Sequence, residues 1–168
     1  ADDSKPVTLR LTLPAGAAAG EHNFTVRADS TGASATLSLN ATVSAQYALE
    51  VNLTREAEQT GAPGEIIYYS FSVLNSGNSN DTALAQASGL LYSQGNGQLE
   101  WAAQPLDAGE SADNYLRVTV PAGSGPWTAT LTVKSQADPA LVATFELTLR
   151  SQAVPDVQLA ELELYPSQ

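Results

Sequence analysis

The side chains able to do chemistry are few and lie far apart along the chain. There is one histidine, His22, beside Glu21, and no cysteine. Thiolate nucleophiles, thiolate metal sites and disulfides are therefore excluded together. A serine nucleophile would need a strained Gly-x-Ser-x-Gly turn, and the chain has none. Carboxylates two residues apart, Glu56 with Glu58 and Glu161 with Glu163, share a strand face where water solvates them. Nothing singles out either pair as the acid and base of a glycosidase. The loop Asn75-Ser-Gly-Asn-Ser-Asn-Asp81 offers oxygens of the kind calcium takes, but with one carboxylate and no alternating acids. Asn, Ser and Gly are also what a turn after a strand requires, so a turn is expected there. The expectation is of no catalytic residue, no metal and no cofactor.

Other candidate sites lie on the surface. Four Asn-x-Ser/Thr sequons begin at Asn23, Asn40, Asn52 and Asn80. The first three fall on the outward parity of their strands and the fourth in a polar loop, so none would bury a glycan. They are the expected glycosylation sites in a host that modifies asparagine. Among the aromatics, Tyr69, Phe71 and Trp127 take inward parity and read as core. Tyr68, Tyr92 and Trp101 are the candidates for one exposed sugar-stacking face, which requires coplanar rings. Lys134 points outward and Lys5 precedes the first strand, which argues against a buried lysine–asparagine isopeptide bond.

The elements that carry these residues are strands, read by alternation of period two. Val7, Leu9, Leu11 and Leu13 form the first inward set. Phe24, Val26 and Ala28 come next, then Leu37, Leu39, Ala41 and Val43. Tyr47, Leu49, Val51 and Leu53 open a longer series, followed by Ile67, Tyr69, Phe71 and Val73. Weaker strands are expected near Thr82–Gln86 and Gln98–Ala102. Leu116, Val118 and Val120, then Trp127 to Val133, then Phe145, Leu147 and Leu149 complete the set. No stretch has sustained helical spacing, and Ala15–Ala19, between Pro14 and Gly20, reads as a turn.

Self-similarity sets the domain plan. Leu9-Arg-Leu-Thr-Leu-Pro-Ala-Gly16 returns as Leu116-Arg-Val-Thr-Val-Pro-Ala-Gly123, 107 positions on. Phe24-Thr-Val-Arg27 matches Leu131-Thr-Val-Lys134 at the same offset. One inserted residue later, Leu37 and Leu39 fall on Phe145 and Leu147. That period is the size of one immunoglobulin-like domain. The predicted fold class is therefore all-β, with immunoglobulin-like β-sandwich modules in tandem. Residues 1–46 are a partial module holding late strands only, 47–153 a complete module, and 154–168 an extended strand resembling the first of another.

Composition agrees. Of 168 residues, 43% are hydrophobic, enough for a packed core. The net charge of −11, from 18 acidic and 7 scattered basic residues, repels nucleic acid and anionic lipid alike. No run approaches the roughly 18 apolar residues of a membrane span. The chain contains no methionine, so a processed product or a segment of something longer is expected.

A family resemblance rests on particular motifs. Strand, Pro-Ala-Gly and short turn are similar to late strands in the immunoglobulin-like modules of bacterial and archaeal surface proteins and glycosidases. Ala62-Pro-Gly-Glu65, Leu74-Asn-Ser-Gly77 and Leu106-Asp-Ala-Gly-Glu-Ser111 resemble the cell-adhesion-related and alpha-galactosidase-associated immunoglobulin-like families. The resemblance implies a secreted or cell-surface stalk, spacer or adhesive module without chemistry of its own. The expected function is a structural subunit of an extracellular fibre, stalk or surface layer, with carbohydrate binding beside a secreted enzyme as the alternative. The expected partner is the chain itself, in a head-to-tail homopolymer, with strand donation through Val157, Leu159, Leu162 and Leu164.

Overall fold

The computed structural model describes residues 5–93 and 96–152. It is built almost wholly of strands. β1 (Gly20–Ser30) and β2 (Ala33–Val43) form a two-stranded antiparallel sheet. After them come β3 (Leu49–Leu53), β4 (Glu58–Gly61), β5 (Ile66–Asn75) and β6 (Asp81–Ser88). A single turn of helix, α1 (Leu90–Ser93), leads to β7 (Gly97–Leu99) and β8 (Ala103–Leu106). β9 (Ser111–Thr119), β10 (Trp127–Ser135) and β11 (Val142–Ser151) end the order.

β3 to β11 make two sheets, ordered β4-β11-β10-β6-β8 and β3-β5-β9-β7. Every pairing is antiparallel except β4 with β11. The strand order is that of an immunoglobulin-like sandwich, whose first strand splits and sends its second part to run parallel with the last. Alternation drives the assembly. β5 buries Ile67, Tyr69, Phe71 and Val73, and β9 buries Leu116 and Val118. β10 and β11 supply Ala129, Leu131, Val133, Leu147 and Leu149 from the other sheet, all in one core cluster. Burying each large side chain contributes about 1.5–3 kcal/mol. β6 fills its share with small residues, Ala83, Ala85 and Ala87.

Two motifs from the sequence become the same turn. Ala62-Pro-Gly-Glu65 and Asp107-Ala-Gly-Glu110 each place glycine third, at φ +84 and +80. That is the left-handed position a type II turn demands. In both, the first residue's N–H donates to the glutamate carboxylate at 2.8 Å. The glutamate N–H returns to the first carbonyl at 3.0 Å.

Some expectations differ from the structure. Residues 5–14 carry no strand, so the described part of 1–46 supplies two strands, not three: Val7–Leu13 has no ladder partner among the described residues. The single strand expected over Gln98–Ala102 is two, β7 and β8. The chain changes sheets between them, β7 pairing with β9 and β8 with β6. Residues 154–168, including Val157, Leu159, Leu162 and Leu164, lie outside the described residues.

Candidate functional site

The side chains of β1 and β2 divide cleanly between two faces. Their register sets Phe24 opposite Leu39, Val26 opposite Leu37 and His22 opposite Ala41. Those residues share one side with Ala28, Ala35 and Val43. The other side carries Glu21, Asn23, Thr25, Arg27 and Asp29, with Ser34, Thr36, Ser38, Asn40 and Thr42 across from them. A two-residue connection, Thr31-Gly32, closes the hairpin, with Gly32 at φ +88. Leu37 is 59% exposed, and Phe24, Val26 and Leu39 are only half-buried. Among the described residues no further strand flanks this hairpin, and large apolar side chains on one face of such a hairpin are an open invitation to pairing.

The base of the hairpin is tied to the sandwich by Asn78, in the loop after β5. Its side-chain amide donates to the carbonyls of Ala17, at 3.1 Å, and Ser44, at 3.2 Å. Its side-chain carbonyl accepts the Gln46 N–H at 2.7 Å. Its own N–H donates to Gln46 O, and its carbonyl accepts from Ala19. One residue thus holds the chain on both sides of the hairpin. Gly77 is what lets the two segments approach: a Cβ there would collide with the Gln46 carbonyl and come within 3.0 Å of Ala48 N. Asn75, fully buried, braces the same loop through Ser79 O, Leu106 O and Asp107 O.

In the loop of residues 75–81, Asn75 Oδ1 accepts from Gly77 N and Asn78 Oδ1 from Gln46 N. Asp81 is buried, and its carboxylate accepts from Ser135 Oγ, Thr82 N and Ala137 N. No group of three or more His, Asp or Glu able to hold a metal occurs among the described residues.

The other candidate residues stay apart. His22 is exposed, with Nε2 2.8 Å from the Ala18 carbonyl. Glu56 lies outside any strand, and Glu58 pairs with Arg150 across the parallel β4–β11 contact. Asn23, Asn40, Asn52 and Asn80 are all exposed, with Asn23 directly opposite Asn40 on the polar side of the hairpin. Lys134 is exposed.

Tyr68, Tyr92 and Trp101 do not share one face, which corrects the sequence expectation. Tyr68 lies on the outer side of β5, edge-on to Tyr115 at 5.2 Å with an interplanar angle of 81°. Trp101 packs on the core instead, 6.2 Å from Phe71. Its Nε1 donates to Asp113 O, and Asn114 fixes its backbone at the sheet crossing. Tyr92 is exposed on α1. Alternation could not reveal this, because Trp101 sits between strands. The Tyr115 hydroxyl is held by Glu100, which raises its pKa together with partial desolvation.

No family model matches the chain, and no curated protein matches it. Among solved structures it is similar to the PapD-like domain 7 of human CEP192, at 14% identity and TM-score 0.44, covering 63% of this chain and 84% of that one. The E. coli chaperone DraB gives 16% identity and TM-score 0.46, covering 64% and 57%. The periplasmic chaperone SfaE gives 11% identity and TM-score 0.47, covering 64% and 59%. The chain thus spans less than two thirds of either chaperone's length. The strand order, rather than these likenesses, defines the immunoglobulin-like class.

Proposed function

We propose that the chain is a structural subunit of an extracellular fibre, stalk or surface layer, in which immunoglobulin-like modules follow one another as spacers. The observation that carries this reading is the Asn78 joint. A late-strand hairpin that repeats the end of the sandwich meets that sandwich through a short link, pinned on both sides by one residue. A joint hydrogen-bonded in this way transmits orientation, whereas a solvated linker would not. The acidic surface, with net charge −11, suits crowded chains that must not coalesce. Exposed sequons at Asn23, Asn40, Asn52 and Asn80 give the same exterior places for glycans. The reading includes no reaction. Carbohydrate binding is the weaker reading, since the exposed Tyr68 ring and the half-buried Tyr115 ring meet at 81° and form no flat platform.

Small-angle scattering of the full chain and of Asn78→Ala tests the proposal. The variant is expected to show a longer maximum dimension and a flexible profile, while its far-ultraviolet spectrum keeps its strand signature. Identical scattering from the two proteins would remove the joint, and with it the spacer reading.

A further inference from the structure

The uncovered face of the hairpin has a covered twin in the same chain. At the offset of 107, Ala1-Asp-Asp-Ser4 falls on Ala108-Gly-Glu-Ser111, and the match runs without a gap through Arg27 and Lys134. β1 therefore corresponds to β10, and β2, one residue later, to β11. The segment Leu9–Leu13 corresponds to the core-facing end of β9. Leu116, Val118 and Val120 are 0%, 0% and 2% exposed, whereas their counterparts Leu9, Leu11 and Leu13 are 55%, 50% and 45% exposed. Identical patterning has opposite burial because the neighbours differ. β10 and β11 are flanked by β6 and β4 and face β5, and β1 and β2 have only each other among the described strands.

We infer that the apolar face of the β1–β2 hairpin is built to receive the early half of a module of this same type: a segment carrying counterparts of β3 to β8, joined to the polypeptide ahead of Ala1 at the spacing of the repeat. The inference rests on the tandem-module reading and names what the hairpin binds within it. Three observations favour this occupant. The hairpin's other face is already polar throughout, so one covering layer suffices. The register also fits: summed over each pair, β1–β2 and β10–β11 differ by an even number of residues once the offsets are applied. The same side chains then face inward in both. Finally, a lone strand from residues 154–168 would extend one edge and leave the face open, whereas β5 in the sandwich covers β10 and β11 from the opposite sheet.

The test is a chimera in which a second copy of residues 47–107 precedes Ala1, so that Asp107 meets Ala1 as it meets Ala108. Hydrogen exchange at Phe24, Val26, Leu37 and Leu39 is the readout, with Leu131 and Val133 reporting that the resident sandwich is intact. Exchange at the hairpin is expected to slow at least about 100-fold, approaching that of the counterparts, in a protein that sediments as a monomer. A control in which only the added copy carries Phe71→Asp and Val73→Asp is expected to show no slowing. Should the chimera not fold, co-expression of residues 47–107 with the full chain gives the same readout. Unchanged exchange in both formats, or equal slowing in the control, overturns the inference. So does a parent chain whose hairpin is already protected at pH 7, low salt and dilute concentration, either in a dimer or until residues 154–168 are deleted. None of these outcomes bears on the Asn78 joint, so the inference and the spacer reading fail separately.

Discussion

Tyr69 shows how one polar atom is accommodated between the sheets. Its ring is buried, and its hydroxyl donates to the Thr148 carbonyl of β11 at 2.7 Å. Burial first, and then the nearby Glu58 carboxylate, push its pKa from 10.0 up to about 12. The folded state thus keeps its proton where the unfolded chain has lost it. Stability linked to this group is complete below pH 10 and is lost as pH rises toward 12, by roughly 2–3 kcal/mol. Tyr69→Phe removes the group and its hydrogen bond. The variant is expected to be about 1–2 kcal/mol less stable at pH 8, with a flatter decline between pH 9 and 11.5. Urea unfolding across that range checks both. A parallel decline in the two proteins would show that another group governs the alkaline limit.

At the scale of elements, alternation carried most of what could be read. β5, β9, β10 and β11 fall where inward Ile, Val, Leu and aromatic residues predict them, because a strand buried on one face writes its period into the sequence. β6 appeared weak since its inward positions are alanines, Ala83, Ala85 and Ala87, chosen for space rather than hydrophobicity. β4, with Glu58, Gln59 and Thr60, is invisible to the same test: it is an edge held by the parallel ladder to β11. The candidate site was half legible. The two-faced pattern of residues 20–43 and its repeat were in the sequence, but Asn78 was one asparagine among several in a turn. Its role depends on where Ala17, Ser44 and Gln46 arrive. A similar dependence on distant backbone governs Gly89, which ends β6 at φ +98 with its missing Cβ 2.9 Å from Thr128 O. Gly89→Ala meets both strain and a backbone clash, so a loss of about 2 kcal/mol is expected by thermal or urea unfolding. A variant as stable as the parent would mean that the turn into α1 relaxes without cost.

The whole molecule sets an apolar hairpin against a strongly acidic surface. At neutral pH the net charge of −11 opposes close approach of two chains, over a distance of about 10 Å at 0.1 M salt. The attraction is the water-exposed side of β1–β2, where Leu37 is 59% exposed. The large apolar side chains that supply it, Phe24, Val26, Leu37 and Leu39, carry no charge at any pH. Repulsion does depend on pH and vanishes near the isoelectric point of about 4.2. Self-association is therefore expected to grow as pH falls from 7 toward 4.5, and at neutral pH to grow with added salt. Sedimentation velocity at several concentrations measures it. A Leu37→Ser, Leu39→Ser double variant keeps the charge and the opposite, polar face unchanged, so it is expected to remain largely monomeric at pH 4.5. The sandwich is a suitable internal control: its core side chains on β5, β9, β10 and β11 are sealed from water, and the variant touches none of them. If the double variant associates as readily as the parent chain, the contact lies elsewhere on the surface, and the hairpin face is not the sticky side of this molecule.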